Sequence, residues 1–331
     1  MTAVSAIWHG GDLDAARRLF PDAPEPWIDL STGINPIPYP LPVLPASTWQ
    51  RLPGRESEAA LLAAARAAYG VPDEAGVVAA PGTQILIELL PTLAGVGDRV
   101  AVVGPTYGEH ARTWRKAGHP VAEAGSLAET GDARVVVLVN PNNPDGRIVE
   151  PSRLHDVAGR LAARGGLLVA DEAFADFENG TSLIPALPPA TLVLRSFGKT
   201  YGLAGLRLGF AVGRGDLTPR LAERLGPWAV PGPALHVGAR ALADRGWLEA
   251  ARRDRTADAI RLDRLLARVG TVVGGTSLFR LVETAEAAAL FDRLGRNGIY
   301  ARRFQDQPNR LRFGLPADEA GWSRLEAALT D

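Results

Sequence analysis

Ser196-Phe-Gly-Lys199, followed by Tyr201-Gly-Leu-Ala-Gly-Leu-Arg207-Leu-Gly209, puts a hydroxyl, an amine and a guanidinium in one short stretch. Lysine suits imine chemistry: its amine can lose a proton when desolvated or set beside another cation, and then attack a carbonyl. Arginine, with its much higher ordinary pKa, stays protonated near neutral pH and does not. Composition sharpens the contrast, because Lys116 and Lys199 are the only lysines in a chain otherwise rich in arginine. Ser196 and Arg207 suit an oxyanion, the arginine through bidentate hydrogen bonding.

Three more polar motifs precede this one. Pro81-Gly82-Thr83-Gln84 opens a helical pattern, where freed backbone N–H groups and a helix start favour a phosphate. Asn140-Pro-Asn-Asn-Pro-Asp-Gly146 brackets Asn143 with two X-Pro bonds, which suits an amide asked to meet a particular ligand oxygen. Asp171-Glu-Ala-Phe174 ends the apolar run Gly166–Ala170, and a carboxylate there is costly unless it is paired. A protonated pyridine nitrogen would be such a partner. Taken singly, each motif also fits an ordinary turn, cap or structural ion pair. Their shared position after successive strands points to one site, because open parallel sheets bind ligands at the carboxyl ends of their strands.

The elements that must hold these residues alternate. Strands are expected at Val77–Ala80, Arg99–Val103, Val135–Asn140, Leu167–Ala170, Thr191–Ser196 and Leu208–Val212, with helices over Glu56–Tyr69, Thr83–Leu93, Glu109–Ala117, Pro151–Ala163 and Asp216–Leu225. Near-continuous Val/Leu strands alternating with helices imply an α/β fold with a mostly parallel sheet covered on both faces. The proline-rich opening, through about Pro53, reads as an extended arm with little regular structure. After Gly226–Pro233, arginine- and alanine-rich helices lead to strands near Val272 and at Leu278–Val282, then helices around Ala285–Arg296 and Ala317–Leu329. The expected division is a large domain over residues 47–230, and an arm plus smaller α+β domain over 1–46 and 231–331.

The chain has 331 residues, 46% hydrophobic and 22% charged, ordinary values for a globular protein. A net charge of −1 gives no global basic field for nucleic acid. The absence of cysteine excludes disulfides, thiolate metal sites and cysteine nucleophiles. No apolar run approaches the roughly 18 residues of a membrane span. No metal site is expected, and a cytoplasmic protein is.

The motifs Asn-Pro-x-Asn-Pro-x-Gly, Asp-Glu-Ala-Phe and Ser-x-x-Lys-x-x-Gly-Leu-x-Gly-x-Arg resemble those of fold-type I aminotransferases, over nearly the whole chain. The resemblance implies pyridoxal 5'-phosphate (PLP) as cofactor, on a Schiff-base lysine at Lys199, with Asp171 at its pyridine nitrogen. It also implies that Asn143 meets the phenolic oxygen and Tyr107 stacks on the ring. Gly82 and Thr83 at the helix start, with Ser196 and Arg207, would hold the phosphate. Arg312, in Leu311-Arg-Phe-Gly314, matches the arginine that grips a substrate carboxylate. Two positions depart from the pattern: Phe174 stands where many relatives have tyrosine, and Leu52 stands where a tyrosine is usually lent to the partner subunit.

Trp8-His-Gly-Gly-Asp12 and Asp29-Leu-Ser-Thr-Gly-Ile-Asn-Pro36 resemble the opening of the L-threonine-O-3-phosphate decarboxylases of cobalamin synthesis. That resemblance implies that His9, Asn35 and Arg302 bind a substrate phosphate, and that the reaction is loss of CO2 to give (R)-1-amino-2-propanol O-2-phosphate. His9 also fits an ordinary surface histidine. The alternative reaction is an aminotransferase acting on histidinol phosphate or a similar amine, and a further alternative is a PLP-fold regulator without turnover. Expected partners are a small phosphorylated amino acid and a second copy of the chain, with neither nucleic acid nor membrane.

Overall fold

Val135–Val139 is five consecutive aliphatic residues, all buried, so this strand must be covered on both faces. The computed structural model describes residues 9–330 and forms two units. In chain order they are built from α1 (Leu13–Leu19), β1 (Ile28–Leu30), α2 (Ser47–Gln50), α3 (Arg55–Tyr69), β2 (Ala75–Ala80), α4 (Thr83–Leu89), β3 (Val100–Val103), α5 (Glu109–Lys116) and β4 (Val121–Ala124). Next come β5 (Val135–Val139), α6 (Pro151–Ala163), β6 (Leu167–Asp171), β7 (Thr191–Ser196), α7 (Phe197–Thr200), β8 (Gly209–Arg214), α8 (Leu217–Leu225) and α9 (Gly232–Ala243). The last are α10 (Arg245–Leu266), β9 (Thr271–Thr276), β10 (Phe279–Glu283), α11 (Ala287–Arg296), β11 (Ile299–Arg303), β12 (Arg310–Gly314) and α12 (Glu319–Thr330).

The larger unit, Pro38–Asn143 with Arg147–Glu249, holds a seven-stranded sheet in the order β2-β8-β7-β6-β5-β3-β4. β8 alone runs antiparallel to its neighbours. Alternate residues face opposite sides: Val136, Leu138, Leu168 and Ala170 pack with Leu61 of α3, Leu154 of α6 and Leu235 of α9. Val135, Val137, Leu167 and Val169 pack with Leu86 of α4, Trp114 of α5 and Leu221 of α8. Local signals close the helices: Gly70 ends α3 in the left-handed region (φ 65°), and Pro151 starts α6 where a missing N–H costs nothing.

The smaller unit comprises residues up to Ile37, Pro144–Gly146 and residues from Ala250. Its sheet, β1-β11-β12-β10-β9, is antiparallel except that β1 runs parallel to β11. Leu262 and Leu266 of α10, Leu290 and Phe291 of α11, and Trp322 and Leu325 of α12 fill its core.

Several expectations need correction. The arm is not merely extended: α1 is capped by Asp12, whose carboxylate accepts the Ala15 N–H at 2.8 Å, and β1 joins a sheet because Leu30 is fully buried in the smaller core. The helix expected through Leu93 stops at Leu89 and becomes a 3₁₀ turn, since Pro91 cannot donate the next hydrogen bond. β4 went unforeseen; Ala122 and Glu123 are exposed on an edge strand with little apolar pattern. The units part at Ile37/Pro38 and Glu249/Ala250, whereas the expected limits were 46/47 and 230/231. α9 stays with the larger unit because Gly238 lets it close on α3, where an added Cβ would meet Leu61 Cδ1 at 2.8 Å.

Candidate active site

The parallel strands of the larger unit all end at one edge of the sheet, and β8 begins there. Gly82 and Thr83 follow β2, Tyr107 follows β3, Asn143 follows β5, Asp171 ends β6, and Ser196 ends β7. Lys199 lies on α7, one short helix further on, and Arg207 precedes β8. Topology therefore gathers at one rim residues spread from position 82 to position 207.

Asp171 is 4% exposed, yet its charge is well matched. Oδ1 accepts the Ala173 N–H at 3.0 Å, and Oδ2 lies 2.9 Å from Nε2 of the fully buried His110. Among the described residues Nδ1 of His110 has no hydrogen-bond partner, so an Nε2–H donated to Asp171 accounts for the pair. His110 was not foreseen from the sequence. The available signal was its place three residues after Tyr107, which lies just before α5, and the two rings meet edge-to-face with centroids 6.1 Å apart. Tyr107 is fixed at its other end, its hydroxyl lying 3.1 Å from Gln84 Oε1.

The asparagine loop separates scaffold from candidate contact. Asn140 Oδ1 accepts the Val149 N–H at 2.8 Å, and Asn142 is held by Thr106 Oγ1 at 2.6 Å while donating to the Pro105 carbonyl at 3.0 Å. Both are buried; Asn143, between these anchors and Pro144, is half-buried at the strand end.

Gly82 and Arg207 form the other end of the rim. Gly82 has a φ of 88°, and a Cβ there would lie 2.6 Å from Arg207 Nη2. Gly209 is equally constrained, since its Cβ would meet the Thr83 nitrogen at 2.7 Å. Arg207 itself adopts φ 53°, a conformation side chains rarely take and one that gathers at functional sites. Backbone N–H groups, Thr83, Ser196 and a guanidinium thus lie about a turn that only glycine permits, a cradle suited to phosphate. Lys199 Nζ sits 5.7 Å from the ring centroid of the buried Phe174, within cation–π range. Among the described residues no cluster of His, Cys, Asp and Glu could hold a metal ion. The residues present fit a flat cationic pyridine carrying a phosphate: buried anion, stacking ring, cradle and amine.

The smaller unit has its own polar cluster. Arg312 and Arg302 are direct partners across β12 and β11, an unfavourable pairing of like charges. Arg312 is 6% exposed, its Nη2 donates to the Ser31 carbonyl at 2.9 Å, and it lies over the Phe279 ring at 4.9 Å. Burial first, and the Arg302 charge second, pull its pKa down to about 9, against the opposing pull of Asp29. Ser31 also accepts the Gly11 N–H at 2.8 Å and donates to Asp29 at 2.5 Å, and an added Cβ at Gly10 would collide with the Ser31 carbonyl. The His-Gly-Gly arm thus packs on the serine that binds Arg312; His9 is exposed, and Trp8 lies outside the described residues. Asn35 is 1% exposed, its Oδ1 accepting from the Ile37 N–H at 3.1 Å and from Arg255 at 3.2 Å. Sequence reasoning missed Ser31 and Arg255, because nothing local marks a serine or arginine whose partner lies 281 or 220 positions away.

Comparison with known proteins adds independent findings. The family model described as aminotransferase class I and II matches residues 44–321. The threonine-phosphate decarboxylase of Pseudomonas aeruginosa is 47% identical over 326 residues, covering 97% of this chain and 96% of that protein. Its counterpart from a Sinorhizobium species is 44% identical, covering 98% and 97%. Among solved structures, histidinol-phosphate aminotransferase from Sinorhizobium meliloti in complex with pyridoxal-5'-phosphate superposes with a TM-score of 0.80 at 21% identity, covering 98% of this chain and 94% of that one. That last likeness bears on the fold alone, which is the fold-type I α/β architecture.

Proposed function

We propose, from the premise that the chain belongs to the aminotransferase class I and II family, that it is a PLP-dependent decarboxylase converting L-threonine O-3-phosphate to (R)-1-amino-2-propanol O-2-phosphate and CO2. The names and near-full-length coverage of the two decarboxylases support this reading. The observation that carries it is Ser31, which receives both the Gly11 N–H of the arm and Arg312, so that the arm lies beside a buried arginine whose pKa is lowered by burial and by Arg302.

When bound, PLP supplies an electron sink for the pair released at Cα, and the protein supplies orientation. Lys199 is the residue that would carry the cofactor and later give a proton to Cα. Asp171, held in place by His110, would face the pyridine nitrogen and favour its protonated form. Tyr107 would pack on the cofactor ring and Asn143 would meet its phenolic oxygen. Gly82, Thr83, Ser196 and Arg207 take the cofactor phosphate. Arg312 takes the substrate carboxylate, whose negative charge offsets the repulsion from Arg302. His9, Asn35 and Arg302 take the substrate phosphate, Arg255 setting the Asn35 amide by occupying its oxygen. The bond from Cα to the carboxyl carbon breaks, CO2 leaves, and Cα gains one proton.

The chemistry belongs to cobalamin biosynthesis, in a cytoplasmic homodimer. Exposed Leu41, Val43, Trp49 and Leu52, close together in sequence, offer apolar surface for a second copy to cover. Among the described residues no helix is long and apolar enough to cross a membrane. The test is to incubate PLP-loaded protein with L-threonine O-3-phosphate, without an oxoacid, while following CO2 and the amine. Sustained CO2 release is expected. Its absence, with amine-form cofactor accumulating on histidinol phosphate, would replace this reading with a transaminase.

A further inference from the structure

Arg195 is a buried arginine that none of the roles above uses. It is the penultimate residue of β7 and 5% exposed. Nη1 donates to Glu172 Oε2 at 2.8 Å, Nη2 pairs with Asp176, and the guanidinium carbon lies 4.6 Å over the Tyr69 ring. Each carboxylate has a second commitment: Glu172 Oε1 accepts the Leu183 N–H at 2.7 Å, and Asp176 Oδ2 accepts the Thr200 hydroxyl at 2.6 Å. Glu172 and Thr200 are each 1% exposed.

The placement in sequence gives this network its meaning. Glu172 is one peptide from Asp171, and Thr200 is one peptide from Lys199. A single guanidinium therefore ties together the two segments that would meet opposite ends of the cofactor. α7, which bears Lys199, has four residues and could not persist as a helix by itself. Tertiary contacts must orient it. Phe197 and Tyr201, at its ends, stack at 4.4 Å with planes 13° apart, and the Thr200 hydroxyl adds the directional bond. Charge-assisted bonds in a low-dielectric interior hold geometry more firmly than packing alone.

We propose that Arg195, acting through Asp176 and Thr200 on one side and Glu172 on the other, is a positioning residue that fixes Lys199 relative to Asp171. The proposal rests on the reading that Lys199 carries PLP. It differs from a purely stabilising network because it demands a change in the bound chromophore when one bond is removed from an intact fold.

Thr200→Val removes the hydroxyl while keeping the side-chain shape, and leaves Asp176 paired with Arg195. In PLP-loaded protein the visible circular dichroism per bound cofactor should fall, and cofactor should dissociate about tenfold faster. The far-ultraviolet spectrum should be unchanged, and Thr200→Ser should restore both readouts. Arg195→Lys is the second route, since an ammonium cannot reproduce the planar fork that holds two carboxylates, and the same loss is expected. If folded T200V and R195K both keep wild-type visible dichroism and dissociation, or if T200S fails to restore them, the proposal is overturned. Borohydride reduction and peptide mapping of the wild type keeps the two readings apart. Cofactor absent from Lys199 overturns both, whereas cofactor on Lys199 with unresponsive variants overturns only the positioning role.

Discussion

The polar clusters of the two units solve opposite electrostatic problems. In the larger unit buried charges meet partners: Asp171 has His110, and Arg195 sits between Glu172 and Asp176. In the smaller unit Arg312 is buried beside Arg302, and burial and that like charge together outweigh the opposing pull of Asp29. A matched cluster suits a cofactor that stays bound; a mismatched one suits an anion that arrives and leaves. The difference shows that burial of an arginine does not by itself reveal its task. The charges around it do.

Removing the same charge from each unit should have opposite consequences for stability. Arg195→Met strands two buried carboxylates and should destabilise the protein by about 3–5 kcal/mol, the usual result of breaking a buried pair. Arg312→Met removes a charge that burial and Arg302 both disfavour, so the ligand-free protein should unfold no more easily. Denaturant melts of both variants test this; equal destabilisation would erase the contrast. R312M should nonetheless lose activity, its kcat/KM falling by about 2–5 kcal/mol of interaction, or roughly 30-fold and upward. Steady-state kinetics on the phosphorylated amino acid would read this directly.

A smaller effect sharpens the cofactor side. Gly82→Ala places a methyl against Arg207 and strains a φ of 88°. Cofactor affinity should drop by about tenfold, in line with roughly 1–3 kcal/mol of strain, measurable by fluorescence titration of the apoprotein. The smallest effect is that of pH. The folded pKa of Arg312 lies below its unfolded value, so below about 9 both states are protonated and its full cost is present. As pH rises past 9 the folded state releases its proton first, so this residue's contribution to ligand-free stability improves while carboxylate affinity weakens. Anion affinity that stays flat through pH 10 would contradict that account.

The legible parts of the fold were those dictated locally. Val135–Val139 and Leu167–Asp171 are short, largely aliphatic runs buried on both faces, and Gly70 and Pro151 mark helix ends by backbone chemistry. β1 was illegible because three residues carry no periodicity, and its pairing with β11 joins positions 28–30 to 299–301. His110 was illegible for a similar reason: its partner Asp171 lies 61 residues away, and a histidine on an amphipathic helix reads as surface until the fold shows it fully buried. Of the smaller cluster, Arg312 and Arg302 stood out by resemblance, whereas Ser31 and Arg255 had no mark of their own.

The sequence by itself determined which chemistry is open to this protein. Only two lysines can form an imine, no cysteine competes, and the residue types after successive strands restrict the ligand to something phosphorylated and able to pair with a carboxylate. Tertiary structure alone decided which charges are satisfied. Two arginines of identical covalent chemistry, Arg195 and Arg312, have pKa values pushed in opposite directions: burial lowers both, but two carboxylates override it at Arg195, whereas the Arg302 charge adds to it at Arg312. Side-chain identity is encoded locally, but the field at a buried group is summed over neighbours that only folding brings within range.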